Sequence, residues 1–107
     1  MATKRKAPRK ARKEIFSRYD TADYLHSEED IIAYLNAVID EAADDPALIA
    51  VALGNVARAH GMLKLSQETG ITREGLYKAL SERGNPNLST ITKVMQALGL
   101  RLAVQAA

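Results

Sequence analysis

The chain has no cysteine and no tryptophan, and only one phenylalanine and three prolines in 107 residues. Without cysteine there is no disulfide framework, no thiol nucleophile and no cysteine-ligated zinc or iron–sulfur cluster. The two histidines, His26 and His60, lie far apart in sequence. Neither is accompanied by a partner motif for a metal or for catalysis. Phosphate-binding loops, nucleophile elbows and paired-carboxylate signatures are also missing. The expectation is a non-enzyme with no catalytic residue, no cofactor and no metal. No apolar run approaches the ~18 residues of a membrane span. The basic N-terminal stretch is not followed by the apolar segment a secretory signal requires. These absences predict a soluble protein of a reducing compartment, with no membrane partner. The length suits one domain plus an appendage.

What is there is unevenly charged. The formal net charge is +2, but it is the remainder of three blocks. Residues 1–13 carry seven lysines and arginines and no acid. Residues 14–45 carry ten acids against Arg18 alone, and residues 46–107 carry seven cations against three acids. Such blocks bear on partners more than on fold. A basic end favours polyanions, whereas an acidic middle repels them and favours a cationic partner.

The patterning predicts an all-α protein. Residues 1–13 have almost no apolar side chains and cannot offset their chain entropy by burial, so they read as a flexible basic arm. Residues 14–44 read as an acidic segment and helix. Within it Phe16, Tyr19 and Tyr24 either anchor a protein partner or fold back onto the first helix. That helix starts near Ser27, a capping residue, with Glu28, Glu29 and Asp30 in the first turn, where the helix dipole favours negative charge. Ile31, Ile32, Leu35, Val38, Ile39 and Ala42 follow at helical spacing as its apolar face. Asp45 reads as the N-cap of a second helix with Pro46 at its first position, ending near Gly61. Short helices over residues 63–69 and 73–81, the loop Gly84-Asn85-Pro86-Asn87, and a last helix from about Ser89 to Gly99 complete the set. The tail alternates Leu100, Leu102 and Val104 with other residues, which predicts a short C-terminal β-strand. A lone strand needs a partner, and the simplest is the same strand of a second copy.

The run from Leu63 to Leu80 carries the chemistry. Two short helices meet at Gly70, which tolerates the positive φ of a tight turn. Ser66, small, stands four residues before it, and Ile71, Leu76 and Leu80 supply inward anchors. Thr72 is suited to cap the second helix. This pattern resembles a helix-turn-helix, whose second helix enters the DNA major groove. The outward positions are then Arg73, Glu74, Tyr77 and Lys78. Arg73 can donate two hydrogen bonds to a guanine edge and Glu74 can accept from cytosine. Thr72, Arg83, Asn85, Asn87 and Thr90 suit phosphate contacts.

Residues 45–100 resemble the phage-repressor-like (Cro/C1-type) helix-turn-helix domain. The wider stretch 25–104 is similar to the HigA-like antidote proteins (antitoxins) of bacterial addiction modules. The resemblance rests on Ser27-Glu28-Glu29-Asp30-Ile31, Asp45-Pro46-Ala47-Leu48-Ile49, Ala57-Arg58-Ala59-His60-Gly61-Met62, the helix from Thr72 to Leu80, Gly84-Asn85-Pro86 and Leu98-Gly99-Leu100. It implies a cytoplasmic bacterial protein encoded beside a toxin of the RelE/HigB superfamily, typically a ribosome-dependent mRNA endonuclease. The family binds its toxin and represses the shared operon as a homodimer. On this reading residues 14–44 cover the toxin, with Phe16, Tyr19, Tyr24, Glu28, Glu29 and Asp30 as the contact set, and residues 45–107 bind operator duplex DNA. The basic arm is not part of the family pattern. It motivates an alternative, a stand-alone phage-type repressor with a DNA-wrapping arm, and a more distant one, an RNA-binding factor.

Overall fold

The structure is a computed structural model that describes residues 25–42 and 44–106. The basic arm and Phe16, Tyr19 and Tyr24 lie outside these residues. The described residues form five helices: α1 (Glu28–Ala42), α2 (Pro46–His60), α3 (Met62–Thr69), α4 (Arg73–Ala79) and α5 (Leu88–Ala97). Among them no single helix is long and apolar enough to cross a membrane.

Local chemistry sets the helix ends. The Asp30 N–H donates to Ser27 Oγ at 3.1 Å, and three acids occupy the first turn of α1. Pro46 opens α2, where its missing N–H costs nothing. Asp45 occupies the N-cap position as expected, but its side chain makes no capping bond. At Gly61 (φ 110°) the chain turns by 102° into α3. Across that corner the His60 ring Nε2 meets Glu68 Oε1 at 2.6 Å. The last helix begins at Leu88 because Asn87 Oδ1 accepts from the Thr90 N–H at 2.8 Å. It ends with Gly99 at φ 77° and the Leu100 N–H reaching back to the Met95 carbonyl at 2.8 Å. That is the Schellman pattern, which satisfies carbonyls the helix would otherwise leave open.

The C-terminal strand is corrected. The described residues contain no strand, and residues 101–106 have no regular structure and are exposed. Leu100 packs against the core, whereas Leu102 and Val104 are 53% and 99% exposed. Alternation records which side chains would share a face, but a strand also needs a neighbouring edge for its backbone groups, and the described residues supply none.

The core is built around α2 and α3. α1 lies on α2, and α3 touches α2, α4 and α5. Tyr34, Val38, Val56, Leu65, Leu76 and Val94 are its largest fully buried side chains. Two polar groups of the described residues pair inside it: Asn55 Nδ2 donates to the buried Tyr34 hydroxyl at 2.8 Å, and Asn55 Oδ1 accepts from Arg58. The face of α1 is narrower than its apolar spacing predicts. Tyr34, Leu35, Val38 and Ala42 are buried, but Ile32 and Ile39 are 41% and 42% exposed.

Gly54 sets how closely α2 meets the end of α4. A Cβ at this position would lie 2.5 Å from the Leu80 carbonyl oxygen, a backbone atom that cannot rotate away. Helix propensity alone favours alanine over glycine by about 1 kcal/mol. The clash outweighs that gain, so Gly54→Ala is expected to destabilise the protein by about 1–3 kcal/mol. Urea unfolding checks it; a midpoint raised by the substitution contradicts the close approach.

Candidate nucleic-acid interface

The turn between α3 and α4 is fixed by four short-range devices. Gly70 adopts the left-handed conformation (φ 75°) and sends its N–H to the Ser66 carbonyl at 2.9 Å. Ser66 Oγ donates across the turn to the Ile71 carbonyl at 2.5 Å. Thr69 Oγ1 donates to the Leu65 carbonyl at 2.8 Å and accepts from the Ile71 N–H at 3.2 Å. Thr72 Oγ1 accepts from the Gly75 N–H at 3.0 Å, capping α4 as expected. Ser66 thus does more than stay small: its hydroxyl binds the far side of the turn. Ile71, half-buried, packs against the core just before α4 begins.

α4 divides cleanly. Leu76 is fully buried and Leu80, just past its end, is 4% exposed. Gly75 and Ala79 are intermediate, and Arg73, Glu74, Tyr77 and Lys78 are all exposed. At about 100° per residue those four positions span about 140° of the helix surface. α4 runs to Ala79 rather than Ser81. It stops because the following residues turn sharply: the Gly84 N–H donates to the Ser81 carbonyl at 2.9 Å, and Ser81 Oγ donates to the Lys78 carbonyl at 2.9 Å. A Cβ on Gly84 would collide with the Lys78 and Ala79 carbonyls. Glycine therefore lets the loop carrying Arg83 and Asn85 run against the end of α4.

The remaining residues expected to meet phosphate fall on either side of α4. Thr72 is exposed at its N-terminus, and its hydroxyl hydrogen is still available to donate while the oxygen accepts from Gly75. Arg83, Asn85 and Asn87 are exposed, and Thr90 is half-buried. Asn87 has a capping role that the sequence reading did not assign: its Oδ1 holds the Thr90 N–H. Its amide NH2 remains the group able to donate. This surface carries exposed donors and one carboxylate on a short helix and the loop beside it, groups able to meet phosphate and base edges.

The acidic residues sort differently. Glu28 and Glu29 are exposed on α1, whereas Asp30 is intermediate. α1 rests on α2, so this acidic end and α4 sit on separate elements. Among the described residues no cluster of three or more His, Asp or Glu side chains could hold a metal ion.

A family model described as "Probable addiction module antidote protein" matches residues 15–106. A protein of Haemophilus influenzae, described as uncharacterized, is 51% identical over 87 residues, covering 81% of this chain and 88% of the relative. No solved structure matches. The family match begins just after the basic arm and takes in both the acidic segment and all five helices. The chain belongs to the family of probable addiction module antidote proteins, and an antidote implies a cognate toxin.

Proposed function

We propose that this protein is a HigA-like antitoxin of a type II module. It neutralises a RelE/HigB-like toxin and represses the operon encoding both, binding operator duplex DNA as a homodimer. In this reading α3, the turn at Gly70 and α4 act as a Cro/C1-type helix-turn-helix. Arg73, Glu74, Tyr77 and Lys78 read bases, and Thr72, Arg83, Asn85, Asn87 and Thr90 hold phosphates. The observation that carries it is the division of α4: four outward side chains able to make base or phosphate contacts, over anchors buried at Leu76 and Leu80. The excess of seven cations over three acids in residues 46–107 supports the same reading. Neutralisation is steric and electrostatic, with no chemistry by this chain. The acidic block of residues 14–45 faces the toxin, with Phe16, Tyr19 and Tyr24 as anchors beside Glu28, Glu29 and Asp30. Antidote family membership favours this over a stand-alone phage-type repressor, for which a toxin has no place.

The test is a paired one. The product of the adjacent reading frame is expected to arrest growth when expressed alone and to co-purify with this chain when the two are expressed together. The purified antidote is expected to shift a duplex from its own promoter and not an RNA of equal length. A harmless neighbour that does not co-purify rejects the antitoxin half. Equal binding of RNA and duplex DNA rejects the repressor half.

A further inference from the structure

The exposed side of α1 is unlike an ordinary solvated helix face. Ile32 and Ile39, seven residues apart, lie within about 20° of each other around the helix. Both are more than two-fifths exposed. Asn36, also exposed, lies between them along the helix and within about 60° of both. Glu28 flanks the pair on one side and Glu29 and Asp40 on the other, all exposed. Asp30 falls about 160–180° away from the isoleucines and is half-buried. The buried stripe, Tyr34, Leu35, Val38 and Ala42, borders the isoleucines, with Leu35 within about 60° of both. So the apolar stripe of α1 runs past the edge that is buried within the described residues, and its outer margin, Ile32 and Ile39, stays exposed.

We infer that the cognate toxin docks on this face through a cationic surface with an apolar centre, placing Ile32 and Ile39 at the middle of the contact and Glu28, Glu29 and Asp40 around it. This rests on the toxin neutralisation proposed above, and it moves the contact set: Ile32, Asn36, Ile39 and Asp40 enter, and Asp30 leaves. Charge selects the occupant. Nucleic acid is repelled by the exposed carboxylates of Glu28 and Glu29. A second copy docking face to face would set the same carboxylates against each other across a two-fold axis. A basic protein meets both requirements, apolar atoms for the isoleucines and cations for the rim. Such an interface gains affinity at its desolvated centre and on-rate at its charged edge.

The experiment titrates the full chain with the purified adjacent-frame toxin and measures affinity and association rate at two salt concentrations. The double variant Ile32→Ala/Ile39→Ala is expected to bind about a hundredfold more weakly, about tenfold per side chain. Glu29→Lys, a surface exchange that leaves the core untouched, is expected to slow association, more so at low salt. Asp30→Asn is expected to change affinity less than threefold. Circular dichroism and unfolding of each lone variant establish that it is folded.

Wild-type affinity retained by both the double variant and Glu29→Lys places the toxin elsewhere and overturns the inference. Unchanged toxin affinity with a shifted unfolding midpoint or sedimentation coefficient of the lone chain means that residues 1–24 or a second copy cover the face, which overturns it too. A wild-type chain that fails to bind the toxin at all removes the antitoxin reading, and the inference with it.

Discussion

Leu76→Ala is expected to lower the stability of this protein by about 2–5 kcal/mol, whereas Tyr77→Ala, one residue on, is expected to change it by less than about 0.5 kcal/mol. Leu76 is fully buried, and its helix has seven residues. Two turns of helix are not stable by propensity, so α4 depends on the leucine that anchors it. The cost has two parts, the lost transfer of the side chain from water and the cavity left where backbone on both sides is held. α4 cannot readily collapse into that cavity. The Thr72 cap fixes its start and the turn from Ser81 to Gly84 fixes its end. Tyr77 is 50% exposed, and alanine is at least as good a helix former. For a domain of this size the leucine variant is expected to melt roughly 10–30 °C lower. Thermal unfolding of the two variants side by side checks the register of α4. Similar losses at both positions mean that the helix is rotated, and the outward set of four goes with it.

That register was readable from sequence because α4 has a strong local signature. A capping threonine, a left-handed glycine before it and leucines at positions 76 and 80 leave one rotation of a short helix. The helix starts at Ser27 and Asp45 were legible for the same reason: caps and proline act within one turn. What was not legible required a neighbour. The tail alternates as a strand does, but alternation cannot report a missing edge. Ile32 and Ile39 fit the apolar periodicity of α1, which cannot say how wide a stripe α2 covers. Gly54 and Gly84 look like ordinary glycines in sequence; only the carbonyls of α4 and Leu80 beside them show why a Cβ is excluded. The Asn55 bond to Tyr34 joins residues 21 apart, and no local pattern signals it. Asn87 is the intermediate case. A capping asparagine was within reach of the sequence, but the serine two residues later offered a competing start.

The charge blocks divide the molecule in the same way as the helices, and this makes the proposed DNA-binding role separately testable. Arg73→Ala is expected to weaken operator binding and leave toxin binding unchanged. A bidentate arginine–guanine contact contributes about 1–3 kcal/mol of discrimination. On the proposed homodimer bound to a palindromic operator the substitution removes that contact from both half-sites, so the combined loss is roughly 2–6 kcal/mol, or about 30-fold to more than 10⁴-fold. The readout that separates base recognition from simple charge is the base preference. Loss of a base contact relaxes selectivity at one symmetric pair of positions, whereas loss of a phosphate contact weakens all sequences alike and flattens the salt dependence. Arg73→Lys distinguishes them further, because lysine keeps the charge but not the planar two-donor fork. It is expected to retain non-specific affinity and to lose most of the discrimination. Competition binding against operators mutated at each position provides the measurement. If Arg73→Ala abolishes toxin binding as well, the two activities share a surface and α1 is not an independent docking face. If it weakens every sequence equally, Arg73 holds phosphate, and base reading falls to Glu74, Tyr77 and Lys78.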